Sequence, residues 1–499
     1  MEQANENSDA PNITMRQAII AGLIVGVALF FSFVLFDHKE PGWSVNSRFC
    51  LTMAIVDEGR LSIDDFANIK SMQTDDVAQF RGHLYSDKAI GVSLLAIAPM
   101  VAMRGIERMA QTHFSVSTLR YWTTICVSAL SAALAGFFLF LYLSQLRLTG
   151  ASNRSTLWGA VTVIVGIMLG TQYFGHATLL LSYAPAAMFL AAAMLTIQIG
   201  LNSNRFSCKR AFCCGLLAGL SILCETLWGV AAVGILAVIA WQEKHRFMTI
   251  TPVLLGGMLL GVMPFILYSL TIFGTLTIPY EYERNEMFRT AMTQGFMGAS
   301  WPNLKVLAYL TVLPYRGIFF HSPFLLLALP GLCFLWKNKS FRALSLMIFV
   351  VSVFYLLFNS AYYMWWGGWN FSPRHLSMLP ILFAAPLFAF YVKNRACGIA
   401  MSILLVPALI IHFIVVCTDP QWPDTNSFTT LEMLLSPENL QQLKWVWYGG
   451  MLRSFLNGHA QGTILGGQMT IIVLLVVWIA AKSFILLSVK NFHGICKKN

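Results

Sequence analysis

Ile90-Gly-Val-Ser-Leu-Leu-Ala-Ile-Ala-Pro-Met-Val-Ala-Met103 is the stretch on which the topology turns. Its fourteen residues are apolar but contain Pro99, and a helix needs roughly 20 residues to cross about 30 Å of hydrocarbon. Read as a span, it inverts every loop after it. Read as a helix lying in the membrane interface, it leaves about twelve spans, near 18–36, 121–143, 156–172, 184–200, 211–223, 227–241, 250–272, 322–336, 343–359, 377–392, 397–417 and 467–487. The charges decide between the two. With twelve spans and a cytoplasmic N-terminus, the short inside loops hold 17 of the 33 basic residues and only four of the 22 acids. That is the positive-inside pattern, so 90–103 is read as juxtamembrane.

Composition agrees. The 499 residues are 57% hydrophobic and 11% charged, and mean hydropathy is +0.66. Soluble domains carry about 25% charged residues, so a water-soluble globule, a disordered chain and a fibre are excluded. The net charge of +11 reports orientation in the bilayer and calls for no nucleic acid partner. The run Ala18–Phe36 is too long for a signal-peptide core, and Asp37-His-Lys-Glu-Pro41 offers no small-residue cleavage site, so a retained helix is expected. Of the ten cysteines only Cys50 falls in a long extramembrane loop, so no disulfide framework is expected.

This orientation puts the long polar segments 37–120, 274–320, 360–376 and 418–466 on the outer side, with nearly all the acids. Any chemistry is therefore external, where nucleotide donors are absent, and no phosphate-cradling Gly-x-x-x-x-Gly-Lys-Ser/Thr loop occurs. The first outer loop is the richest. Asn46–Asp57 suits an amphipathic helix lying on the bilayer. Ile63-Asp64-Asp65, Thr74-Asp75-Asp76 and Gly82-His-Leu-Tyr-Ser-Asp87-Lys88 follow. These charges either keep the loop solvated or supply a general base and a cation for an anionic headgroup.

His176, in Thr171-Gln-Tyr-Phe-Gly-His176, is a structural helix-end residue or a substrate ligand. Glu225 sits alone between two short spans, as a costly ionisable group or a snorkelled turn residue. The third outer segment contains Pro279-Tyr-Glu281-Tyr-Glu283-Arg284 and ends in Pro314-Tyr-Arg316-Gly-Ile-Phe-Phe-His321-Ser-Pro323. The fourth reads Tyr362-Tyr-Met-Trp365-Trp366-Gly-Gly-Trp369-Asn-Phe-Ser-Pro-Arg374-His375. Arg with His at the mouths of two helices makes a forked cation site suited to phosphate. The tryptophans form an interfacial belt or a platform for sugar rings or a lipid chain. No metal-ligand spacing appears outside the membrane, although the first-loop acids could hold a divalent cation through oxygens.

Tyr85-Ser-Asp-Lys88-Ala-Ile-Gly91-Val-Ser-Leu-Leu-Ala, Pro314–Pro323 and Trp365–Arg374 together resemble signatures of bacterial GT-C glycosyltransferases that use polyprenyl-phosphate sugars. Relatives of that superfamily include protein O-mannosyltransferases and the lipid A aminoarabinose transferase. The likeness runs in order over roughly 15–390, and nothing is recognised beyond about 418. It implies an all-α polytopic membrane protein with periplasmic juxtamembrane helices in the first outer loop. Its parts would be a cytoplasmic N-terminus 1–17, a GT-C-like catalytic module 18–392 with first periplasmic loop 37–120, and C-terminal helices 393–499 with periplasmic loop 418–466. It further implies a bacterial inner-membrane location with both termini cytoplasmic, and transfer of a sugar, with inversion, to a hydroxyl of a glycan, lipid or protein.

Many of these relatives carry an Asp-Glu pair just after the first span. Here Asn46-Ser47-Arg48-Phe49 stands there, so the base cannot be carried over to that position. Ile90 also replaces a frequent proline. Asp76 is the first candidate base, with Asp75, Asp87 and Asp37 as rivals. Lys88, Arg316, Arg374 and His375 are the expected phosphate ligands. His176, Glu281, His321, Trp365, Trp366 and Trp369 are further substrate-binding candidates. An O-antigen ligase or polymerase with a diphosphate-linked donor is one alternative. A lipid-linked glycan transporter or flippase is another, although it would place ionisable groups at mid-membrane, where this chain has almost none.

Overall fold

A computed structural model describes residues 13–36, 38, 42–148, 151–203, 206–418, 420–421, 475–483 and 485. Asp37 and nearly all of 418–466 lie outside the described residues. The chain is overwhelmingly helical, as expected for an all-α membrane protein. Six helices are long and apolar enough to cross a bilayer: Met15–Val34, Val116–Ser144, Tyr183–Leu201, Lys244–Phe273, Lys339–Ala361 and Arg395–Val416. A seventh candidate is the pair Arg374–Leu382 and Ala384–Lys393, bent by 44°. Pro386 lies just past that bend, and its ring removes the helical N–H that would bond the Leu382 carbonyl. Shorter apolar helices occupy Asn153–Leu169, Thr226–Ile239 and Pro323–Lys337, at three further predicted positions.

Small residues let the helices approach closely, as expected where lipid gives no hydrophobic drive between them. A Cβ on Gly215 would stand 1.9 Å from Leu254 O, and one on Gly261 would stand 2.7 Å from Leu216 O. The helices Cys208–Cys224 and Phe247–Phe273 therefore touch backbone to backbone.

The first outer loop departs from expectation in two ways. The helix Trp43–Met53 forms where an amphipathic surface helix was expected, but Ser44 to Ala54 are buried on every side. It packs between the Gly91–Ala110 helix and the loop below it, so its polar residues face protein. The second departure is a two-stranded antiparallel hairpin in a chain read as all helix. Strand β1 is Val77–Phe80 and strand β2 is His83–Ser86. Arg81 (φ 50°) and Gly82 (φ 84°) both take left-handed backbone, the requirement of a two-residue turn whose twist matches the strands.

The Ile90–Met103 stretch lies in a helix running Gly91–Ala110, with Arg104, Glu107 and Arg108 near its end. It does not qualify as a span by length and composition. Gly91 is held against the Leu223 carbonyl and Cys224 amide, which a Cβ would approach to 2.7 and 2.8 Å. The first outer loop is thereby docked on the end of the Cys208–Cys224 helix. His38 Nε2 lies 2.9 Å from Thr178 Oγ1, and Tyr121 Oη donates to Val34 O at 2.8 Å. The loop, His38 and the 173–183 turn thus gather where the first helix finishes, at the opposite end from the chain's start.

Candidate functional site

The hairpin assembles the first half of the site. Its register pairs Val77 with Ser86, so the next residues outward, Asp76 and Asp87, face each other. Lys88 follows directly. Its Nζ lies 2.8 Å from Asp76 Oδ2 and 2.5 Å from Asp87 Oδ2. The buried helix supports the pair from below. Ser47 Oγ lies 2.8 Å from Ser86 Oγ and donates to Asp87 Oδ1 at 3.4 Å.

A third segment closes over the hairpin. Arg284 N donates to Val77 O at 2.9 Å, and Ala78 bridges to Glu283. This edge pairing turns Glu283 inward and brings the Tyr280 ring within 5.2 Å of Lys88 Nζ. The two carboxylates differ in access: the Asp76 side chain is 16% exposed and that of Asp87 1%.

Burial on its own would lower the Lys88 pKa, but Asp76 and Asp87 outweigh it and hold the ammonium charged. Burial raises the Asp87 carboxyl above its usual range, against the pull of Lys88. Burial, followed by repulsion from Asp87, pushes Glu283 up to about 9. At neutral pH the cluster therefore holds a protonated Glu283 near the partly accessible Asp76 side chain.

The second half comes from the fourth segment. Gly367 (φ 81°) and Gly368 (φ 67°) turn the chain so that Arg374 lies along them. A Cβ on Gly367 would stand 2.9 Å from Arg374 Cγ. Arg316 reaches the same turn, donating from Nη2 to Gly368 O at 3.3 Å with its guanidinium 4.8 Å above the Tyr315 ring. Tyr183, Asp76, Tyr280 and Glu225 all act electrostatically on Arg374. Its Nε and the neighbouring His375 Nε2 are buried with no hydrogen-bond partner, and Arg374 makes no ion pair to a described residue. A half-buried guanidinium with an unpartnered buried Nε and no counter-charge among the described residues suits an anion.

The structure corrects several expectations. Lys88 was expected on a donor phosphate, but two of its three donors are already taken by Asp76 and Asp87. Asp75 stands outside the cluster in a half-exposed ion pair with Arg284, 2.5 Å away. Glu281 is exposed and accepts from Thr277 Oγ1 at 2.6 Å, so Glu283, two residues on, is the inward acid. His321 is built into the frame, stacked 4.4 Å from Phe371 and 3.0 Å from Pro314 O.

His176 does reach the site. It is buried and stacks 4.5 Å from the Tyr183 ring, with Asn370 Nδ2 at 3.4 Å. Trp365 stacks on Tyr309 at 5.6 Å and meets Trp366 edge-on, while Trp369 is 59% exposed. Behind Tyr183, Ser182 Oγ donates to Glu225 Oε2 at 2.5 Å, and Arg48 Nη2 donates to Ser182 Oγ at 3.3 Å. Glu225 is thus a bonded member of the surroundings of the site. Arg48, in Asn46-Ser47-Arg48-Phe49, carried no functional signal in the sequence.

Among the described residues no group of three His, Cys, Asp or Glu side chains is arranged to hold a metal ion. Neither a protein-family model nor a curated protein sequence matches the chain. The chemistry must therefore be argued from the site itself. It offers a fixed and partly accessible Asp76 side chain ion-paired to Lys88, a protonated acid in Glu283, and a guanidinium without a counter-charge among the described residues, with aromatic rings nearby.

Proposed function

We propose that the chain is an integral membrane glycosyltransferase of the GT-C type, moving a sugar from a polyprenyl-phosphate donor to an acceptor hydroxyl on the outer face of a bacterial inner membrane. Twelve spans, cytoplasmic termini and a periplasmic site complete the proposal. What supports it is a carboxylate cluster at the end of the bundle where the first helix finishes, with the charge of Asp76 felt at Arg374, almost 300 residues along the chain. A soluble substrate would not require a site built at the ends of apolar helices.

In this reading the donor phosphate sits at Arg374, with Arg316 and the Gly367–Gly368 turn beside it. Asp76 takes the proton of the acceptor hydroxyl. The acceptor oxygen attacks the anomeric carbon, the bond from that carbon to the phosphate oxygen breaks, and its electron pair stays on the phosphate. Arg374 stabilises the charge that develops there. Lys88 is a positioning residue that orients Asp76 through their 2.8 Å ion pair. His176, Tyr183 and the tryptophans offer stacking faces for the sugar.

The test is transfer in proteoliposomes supplied with polyprenyl-phosphate sugar and no nucleotide. General-base help is worth about 10²–10⁴-fold, so Asp76→Asn is expected to lose turnover by that factor while folding normally. Wild-type turnover in Asp76→Asn would remove Asp76 from its role.

A further inference from the structure

At the other end of the bundle lies a groove of 1020 Å³, bordered by the N-terminal turn of the Asn153–Leu169 helix and the junction between Ala384–Lys393 and Arg395–Thr418. Arg374 and Lys393 are separated by nineteen positions of bent helix. At 1.5 Å per residue that is roughly 25–30 Å, so this groove and the acidic cluster lie on opposite sides of the membrane. Arg154, Lys393 and Arg395 line its mouth.

A second groove of 560 Å³ shares Arg154, Trp158, Ser402 and Val406 with the first and adds Lys482. The two are continuous. Below the cations the walls are apolar, with Val161, Val165, Leu405 and Leu409. The adjoining face, Ile399, Ile403, Val406 and Ile410, is exposed, which in a span means exposed to lipid. No acid lines either groove, and none of the four cations is ion-paired to a described residue.

We propose that this groove binds an anionic glycerophospholipid of the adjacent leaflet, its phosphate among Arg154, Lys393, Arg395 and Lys482 and its acyl chains along the helices Asn153–Leu169 and Arg395–Thr418. Basic pockets between membrane helices on the cytoplasmic side recognise such headgroups. A soluble phosphate would leave the apolar floor uncovered. The chain beyond residue 485 carries Lys490, Lys497 and Lys498 and no acidic side chain, so it does not complement four cations. The proposal is independent of the sugar-transfer reading.

The full chain, reconstituted in vesicles of mixed phosphatidylglycerol and phosphatidylcholine, is extracted and its retained lipid counted by native mass spectrometry. Wild type is expected to retain phosphatidylglycerol selectively. Each cation near the surface is worth about fivefold, so Arg154→Gln with Arg395→Gln is expected to weaken retention by about 25-fold. Lys337→Gln with Lys339→Gln removes equal charge outside the groove and is expected to leave retention unchanged. Equal retention by the groove variant, or equal loss in the control pair, would overturn the site. Displacement of the lipid by millimolar inorganic phosphate alone would overturn the lipid assignment in favour of a soluble phosphate.

Discussion

Lys88→Met removes the ammonium from between two carboxylates and leaves a side chain of similar length. Asp87, 1% exposed, then has no counter-charge within ion-pair distance, and Asp76, 16% exposed, keeps partial access to water. Breaking a buried pair by removing one partner costs about 3–5 kcal/mol. The partial exposure of Asp76 puts this case at the lower end, about 3 kcal/mol. Reversible unfolding of the detergent-solubilised protein measures the loss.

The pH dependence carries a sign. Burial already raises Asp87, and without Lys88 its folded-state pKa rises further. A carboxyl with a raised folded pKa is penalised above that pKa, and the penalty fades as pH falls towards the ordinary Asp range. The gap between Lys88→Met and wild type is therefore expected to narrow in acid. Adding Asp87→Asn is expected to return more than 1 kcal/mol, because the stranded charge is gone. Wild-type stability in Lys88→Met, or a fully additive loss in the double variant, would refute the buried-pair reasoning.

Glu283→Gln replaces a carboxyl that at neutral pH is protonated in the folded protein but ionised in the unfolded chain, so the variant is expected to match wild type near pH 4 and to be the more stable of the two at neutral pH. In wild type, Glu283 has a folded pKa of about 9, above its ordinary 4.5, so its contribution falls as pH rises between those values; the variant is expected to show a shallower decline in the same unfolding series. Gly91→Val would drive a side chain into the Leu223 carbonyl and Cys224 amide, and overpacking of this kind costs about 1–3 kcal/mol. Faster proteolysis of the 91–110 helix with the rest of the bundle intact is the expected readout.

Six of the twelve expected spans were legible as helices long and apolar enough to cross a bilayer, because an apolar run of that length has few other uses. Helices appear at the predicted positions from Met15–Val34 through Arg395–Thr418. Only 475–483 and 485 of the last predicted span, 467–487, are described. The hairpin was not legible: its strands have four residues each, and Arg81-Gly82 is a weak turn signal beside the Asn-Gly that such turns prefer. Yet the hairpin is what sets Asp76 against Asp87. That Glu283 and not the candidate Glu281 is the buried acid of this segment was not legible either. Glu281 lies in the 3-10 turn Pro279–Tyr282 and Glu283 just past it, and only the bridge of Glu283 to Ala78 says which acid turns inward. Arg374 was visible from its place at a helix mouth. Lys88 was visible as a cation, but its pairing depended on a register that no spacing along the chain reveals.

The central claim is that Arg374 and the first-loop carboxylates form one site for a phosphate-linked sugar lipid. Native mass spectrometry of the lipid co-purifying with wild type and with Arg374→Ala tests it most directly. A polyprenyl monophosphate sugar is expected on the wild-type protein and is expected to be lost from the variant. A diphosphate-linked glycan on wild type, or full occupancy in Arg374→Ala, would contradict it.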